Sequence, residues 1–307
     1  MWKDRLQRFL STAVRGSRSR AVRDEFPHEL SVAAIFKNEA RFLGEWLYFH
    51  EGVGVDHFFL YDDGSSDDFL AVLGPWVSAG KVTLIDGRRM NQVSAYNDCI
   101  RRFASRSRWI AFIDLDEFLF SPKSRDLKQI LNSYRDLPAI FVYWVLYGSS
   151  GHLSRPDDYV IDSYVRCLDI EAAGAEQFDH GPHPEKENYV TGWARDGKSI
   201  VNPRSVVEMG AHIPRVLKSG TVLDENRQSA IRHGDARVIT CDWLRINHYW
   251  SKSIEDLKEK VQKGDIFNRA RPPRSLETWL RREACLNVSR DETIRPIWAE
   301  IKKERGL

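Results

Sequence analysis

The run Trp109-Ile110-Ala111-Phe112-Ile113-Asp114-Leu115-Asp116-Glu117-Phe118 decides the fold. Its first half is apolar at every position, as a strand covered on both faces should be. Its second half carries three carboxylates, on Asp114, Asp116 and Glu117. Side chains alternate along an extended segment, so Asp114 and Asp116 are expected on one side and Glu117 on the other. Ligands of open α/β sheets bind at the carboxyl ends of the strands. Clustered carboxylates repel one another there unless a cation sits among them. Hard oxygen ligands of this kind suit Mg2+ or Mn2+ bridging phosphate oxygens. The plain alternative is a loop whose acids cap a helix or pair with arginines.

Working outward, Leu30–Phe36 (LSVAAIF), His57–Tyr61 (HFFLY) and Val82–Asp86 read as further buried strands. Helices are expected between them, over residues 40–53, 68–77 and 92–104. This alternation predicts an α/β fold, a Rossmann-like and mostly parallel central sheet flanked by helices. Ala139–Tyr147 is another apolar strand, and short strand-like pieces recur at Ser199–Glu208 and Trp243–Tyr249. Helices beginning near Ser253, Ser275 and Thr293 close the chain, the last two forming a C-terminal helical extension. The expected division is a basic N-terminal helix or tail over 1–27, a main domain over 28–265 and the extension over 266–307. Residues 171–197, rich in Gly, His, Pro and Asp, read as a long loop of the kind that forms lids or binding segments.

Two other strand ends are polar as well. Tyr61-Asp62-Asp63-Gly64-Ser65-Ser66-Asp67 follows the second strand, and Lys37-Asn38-Glu39 the first. Gly64 suits a tight turn and Ser66 or Asp67 a helix cap, but neither role requires Asp62 and Asp63. Three strands thus deliver polar or acidic groups to one rim.

Composition bounds the function. The 46 Lys and Arg nearly balance the 44 Asp and Glu, so no net field gathers nucleic acid, and that partner is set aside. The four cysteines form no C-x-x-C pair, which argues against a zinc site or disulfide framework and for a reducing compartment. No apolar run reaches the length of a membrane span, and no secretory signal is evident. A cytoplasmic protein is expected. The first two dozen residues interleave basic and apolar side chains, so peripheral contact at the inner membrane face is carried as an expectation beside that of a simple capping helix.

Three separated motifs carry a family resemblance. The run AIFKNEARFLGEWLYFHEGVGVDHFFLYDDGSSDD, then WIAFIDLDEFLF, then INHYWSKSIEDLKEKVQKG resemble, in the right order, the glycosyltransferase-2-like and glycosyltransferase family 92 group. The likeness spans most of residues 30–265. It implies a GT-A fold, a nucleotide-sugar donor (a UDP-sugar first), a divalent cation (Mn2+ or Mg2+), a glycan or lipid-linked glycan acceptor, and inversion at the anomeric carbon. Carried over by position, Asp116, Asp114 and the late His248 are the metal ligands, with Asp114 also at the donor diphosphate. Asp63, with Asp62, Asn38 and Glu39, is placed at the nucleoside. Lys198, in Lys198-Ser199-Ile200-Val201, and Lys252 are placed against the diphosphate. Trp144 and the Gly148-Ser149-Ser150-Gly151-His152 segment resemble an acceptor-side motif, which makes Trp144, Ser149 and His152 acceptor candidates. For the base that takes the acceptor proton, Glu208 is the first choice and Asp179 the second. The alternatives are a nucleotidyltransferase acting on sugar phosphates, and a non-catalytic protein of the same fold that binds nucleotide sugars.

Overall fold

The computed structural model describes residues 26–169, 196–217, 221–230, 239–263 and 275–307. The expected N-terminal helix, nearly all of the 171–197 loop, and Asp179 within it, lie outside these residues.

An eight-stranded sheet runs through the molecule. Its strands are β1 His28–Phe36, β2 His57–Asp62, β3 Val82–Asp86, β4 Ser107–Phe112, β5 Glu117–Phe120, β6 Ala139–Leu146, β8 Gly197–Val201 and β11 Arg245–His248. They lie in the order β3-β2-β1-β4-β8-β6-β11-β5. β3, β2, β1 and β4 pair in parallel, β8 pairs antiparallel with both β4 and β6, and β11 is parallel to β6. β5 returns antiparallel along β11. The mostly parallel α/β sheet expected from the sequence is present.

Burial alternates along β1. Leu30, Val32, Ala34 and Phe36 enter one core cluster, and Ala33 and Ile35 the other. Both faces of the sheet are therefore covered, which explains the unbroken apolar character of the central strands. Helices α1 Ala40–Gly52 and α2 Phe69–Ser78 belong to the first face, and α3 Gln92–Phe103 packs on the second. α3 starts where Asn91 and Ser94 exchange side-chain and backbone hydrogen bonds in a capping box. Shorter helices follow, α4 Leu127–Leu131 and α5 Val160–Ser163, then α6 Ile254–Lys263, α7 Leu276–Ala284 and α8 Arg295–Arg305. Trp298 and Ile301 of α8 are fully buried in the same core as α1, so the C-terminal helical segment packs on the sheet domain. Among the described residues no helix is long and apolar enough to cross a membrane.

The sequence differs from the structure in three places. The strand expected at Ser199–Glu208 is two strands, β8 and β9 Val206–Met209. Pro203, at the start of a short helical turn, separates them, and Asn202 caps that turn at Arg204 N. β9 pairs with β10 Pro214–Val216 as a hairpin. The short pieces β7 Arg166–Cys167 and β12 Ser289–Arg290 form a two-stranded ladder with no periodicity to announce it. Finally, Glu117–Phe120 is a strand, where the sequence pattern suggests none after Asp116.

Candidate active site

The topology brings four segments to one edge. β4 delivers Asp114 and the turn after it. Antiparallel β8 begins at that same edge, so Lys198 faces it. β11 ends there in His248, opposite Glu117 at the start of β5. The Asp114–Glu117 turn thus passes over the amino end of β8 and the carboxyl ends of β6 and β11. Tyr249 N donates to Asp116 O at 2.8 Å and fixes the turn against β11.

Both oxygens of Asp114 accept hydrogen bonds from the protein. Its Oδ1 accepts from Gln92 Nε2 at 2.5 Å and from the Tyr96 hydroxyl at 3.0 Å. Its Oδ2 accepts from Lys198 Nζ at 2.9 Å. Burial works against its charge, but the Lys198 ammonium outweighs that and holds the carboxyl below its usual value. Lys198, 1% exposed, is in turn held protonated: burial opposes its charge, while Asp114 and Glu117 raise it well above the ordinary lysine value.

Asp116 stands differently. Its Oδ2 lies 2.7 Å from Lys260 Nζ and 3.5 Å from His248 Nε2. Against the penalty of burial, Lys260 and His248 bring the carboxyl well below the usual range. Burial lowers the His248 imidazole, with Asp116 pulling the other way. Asp116, Glu117 and His248 each offer a ligand atom within 4.8 Å of the others.

Two buried atoms at this cluster, Glu117 Oε1 and His248 Nδ1, have no hydrogen-bond partner among the described residues. They are 3.9 Å apart. Glu117 Oε2 accepts from Asp114 N at 3.0 Å. Burial pushes the Glu117 carboxyl well above its usual value, and the neighbouring Asp114 and Asp116 add to that. Oxygen and imidazole donors around an orphaned carboxylate oxygen are a set that Mn2+ or Mg2+ accepts. The residues present fit such an ion at Asp116, His248 and Glu117.

This corrects the sequence reading at Glu117. Glu117 faces the cluster, because the chain turns at Leu115 and Asp116 and does not continue extended as the alternation argument assumes. Asp114, expected as a metal ligand, has both oxygens taken by protein donors and lies outside the cluster of ligand atoms.

The other rim residues sort by what they touch. Asn38, at φ 54°, donates its amide to Ser65 Oγ at 2.9 Å and accepts from Ser66 N through Oδ1 at 2.7 Å. Asp62 Oδ1 accepts from Ser65 N at 2.8 Å. Both side chains therefore shape the β1–β2 rim themselves. Asp63 is buried beside them, its amide bonded to Phe36 O at 2.8 Å. Lys252, also left-handed at φ 49°, reaches across to Glu39 at 3.9 Å and lies 4.1 Å from the centre of the Phe42 ring. Residues held in such conformations are characteristic of binding sites.

Trp144 is at the site: its ring meets His248 edge-on at 4.5 Å and His212 at 5.3 Å. Its indole N–H is buried without a hydrogen-bond partner among the described residues. Ser149 and His152 belong to a packed turn. Ser149 N bonds Glu283 at 2.9 Å, and the His152 ring is tied to Ser163 O at 3.2 Å. Glu208 points to solvent, paired with Arg215 at 3.2 Å with both side chains more than half exposed. The structure brings Asp114, Asp116, His248, Lys198 and Trp144 together and does not bring Glu208, Ser149 or His152 to them.

Residues that sequence reasoning missed are Gln92, Tyr96, Lys260 and His212. Gln92 and Tyr96 lie four apart on α3, a spacing that puts both on one face. Lys260 lies inside the quoted C-terminal motif. His212 is placed by its backbone: Ser199 Oγ donates to His212 O at 2.6 Å, and its Nδ1 lies 2.8 Å from Gly197 O and 3.2 Å from Asp196.

Comparison with known proteins fits this geometry. The pattern of glycosyltransferase family 92 matches residues 27–279. This chain belongs to that family. A glycosyltransferase family 92 protein of Ricinus communis is 29% identical over 78% of the chain and 38% of its own length. A galactan beta-1,4-galactosyltransferase of Arabidopsis thaliana is 26% identical over 58% of the chain and 34% of its own. The chain thus spans well under half the length of these relatives. Among solved structures, S. aureus TarS in complex with UDP-GlcNAc shares a partial likeness, at 10% identity and a TM-score of 0.33 over 48% of this chain and 43% of that one.

Proposed function

We propose that this family 92 chain transfers a sugar from a nucleotide-sugar donor, a UDP-sugar first, to a hydroxyl group of a glycan or lipid-linked glycan, with inversion. The observation that carries the reading is the Asp116, Glu117 and His248 cluster, set at the carboxyl rim of a mostly parallel sheet and ringed by Lys198, Lys252 and Lys260. A Mn2+ or Mg2+ ion bound there would stabilise negative charge on the leaving diphosphate.

The chain's own residues supply the rest. Lys198, fixed by Asp114, contributes a permanent positive charge behind the cluster. Asp63 and the Asn38 turn border the nucleoside side. Trp144 forms an aromatic wall with an indole N–H for a sugar hydroxyl. Reaction needs a group to take the acceptor proton within hydrogen-bond reach. His212 suits that role better than Glu208: with Nδ1 against Gly197 O and Asp196, its Nε2 is the ring nitrogen left to accept a proton. The galactan galactosyltransferases among the relatives make UDP-galactose and a β-1,4-galactan the first pair to try.

Thermal melting with UDP and Mn2+ tests the reading. Ligands that bind the folded state raise its stability, so the two together should raise Tm and EDTA should remove the shift. UDP-sugar turnover should vanish in Asp116→Ala. A panel of UDP- and GDP-sugars that gives neither binding nor turnover with the wild-type protein would sink it.

A further inference from the structure

Two lysines neutralise the two aspartates of the acidic turn, and they are not equivalent. Lys198 is 1% exposed and contacts Asp114 at 2.9 Å, Glu117 at 3.9 Å and Ala211 O at 3.4 Å. Its departure would strand a buried carboxylate, so it is a fixed part of the site. Lys260 has a side chain 36% exposed. Apart from Asp116, its ammonium holds only the Trp250 carbonyl among the described residues, at 2.9 Å, and lies 5.7 Å from the Trp250 ring. It can turn into water, leaving the mostly buried Asp116 carboxylate to whatever cation takes its place.

Lys260 and His248 converge on a single oxygen. Asp116 Oδ2, 2.7 Å from the ammonium, is also the oxygen 3.5 Å from His248 Nε2. An ion held between Asp116 and His248 Nε2 would take that same oxygen, the one nearer the ring. A divalent cation and an ammonium on one oxygen atom repel each other too strongly to coexist in a partly buried site. We propose that Lys260 is a built-in counter-cation of Asp116, which a divalent cation must displace, and that the released ammonium then serves the donor's diphosphate. The proposal rests on the reading of Asp116 and His248 as a cation site.

The consequence has an unusual sign, because removing a residue should improve binding. Mn2+ is titrated into the full chain without nucleotide, and the free ion is followed by electron paramagnetic resonance. Lys260→Met should bind Mn2+ about tenfold more tightly than wild type, the order expected when a partly exposed competitor is lost. General damage to the fold cannot produce a gain. Lys260→Arg, which keeps the competing charge, should stay near wild type. At saturating Mn2+, calorimetry should show Lys260→Met binding UDP roughly fivefold or more weakly, as expected on losing one phosphate contact. Unchanged or weaker Mn2+ binding in Lys260→Met overturns the displacement, and unchanged UDP affinity overturns the second half. If neither wild type nor variant binds Mn2+, with or without UDP, the functional reading itself fails and the proposal falls with it.

Discussion

Trp46 donates its indole N–H to the main-chain carbonyl of Glu117 across 2.9 Å. Four residues on, His50 continues the same contact: Nδ1 lies 2.8 Å from Trp46 O, and Nε2 accepts from Leu119 N at 3.1 Å. Since Leu119 N can only donate, His50 carries its proton on Nδ1. One face of α1 therefore replaces, on one edge of β5, the strand partner that the sheet does not provide. Glu45 completes the group by accepting from Val160 N at 2.7 Å and Ile161 N at 2.9 Å, at the start of α5. Trp46 and His50 thus position the strand that carries Glu117, and Glu45 holds the start of α5.

Trp46→Phe should therefore weaken both the fold and the site. It leaves a buried carbonyl without a donor and a gap in a fully buried position, which together cost about 2–4 kcal/mol. Chemical denaturation would measure this, and Mn2+ affinity should fall in parallel because Glu117 loses its support. A full loss of stability with Mn2+ binding intact would refute the link between the two.

Glu45 and His50 should oppose each other in the dependence of stability on pH. Burial drops His50 from 6.5 to about 3. The unfolded chain is protonated first, so the stability from this group is full above pH 6.5 and is lost as pH falls toward 3. Burial pushes Glu45 from 4.5 up to about 7, against its two backbone hydrogen bonds. Here the folded state keeps the proton, so the stability is full below pH 4.5 and is lost as pH rises through 7. Between pH 4.5 and 6.5 the two slopes, each about 1.4 kcal/mol per pH unit, offset one another. Glu45→Gln removes one of them, and its stability should climb with pH more steeply than wild type by about that slope. Parallel curves for the two proteins would exclude this account.

Lys198→Met should destabilise the protein by about 1–3 kcal/mol, because the partly buried Asp114 loses its counter-cation and keeps only the hydrogen bonds from Gln92 and Tyr96. Asp114→Asn alone should cost at least as much, since Asn keeps an oxygen for Gln92 and Tyr96 but turns its NH2 toward the buried Lys198 ammonium. The double variant should recover about 1–3 kcal/mol relative to the sum. Additive losses in a urea-unfolding cycle would show that the pair does not act as a unit.

Turnover should separate the base candidates. Glu208→Gln should leave kcat within about twofold, as for an exposed surface pair. His212→Gln should lower kcat by about 100-fold, in the range for loss of a general base, while KM for the donor changes little. The reverse result, with Glu208 essential and His212 dispensable, would return the role to the carboxylate.

Much of the fold is legible in the chain because it depends on local pattern. Unbroken apolar runs of this length suit strands covered on both faces, so β1, β2, β4 and β6 announce themselves. Polar residues after each run mark the rim where ligands bind. The direction of Glu117 is not legible, because alternation holds only while a strand continues, and the turn at Leu115–Asp116 breaks it. Glu208 looks apt beside a short strand, but its side chain leaves β9 for solvent and pairs with Arg215.

The sequence by itself determined the α/β class, the parallel strands and the presence of carboxylates after Ile113, since hydrophobic periodicity and turn chemistry act over a few residues. Only the tertiary structure decided which carboxylate is available to a cation. That depends on donors from distant segments: Gln92, Tyr96 and Lys198 take the oxygens of Asp114, while Asp116 meets His248 and Lys260. Such contacts arise from how strands are ordered in the sheet, and no spacing along the chain encodes them.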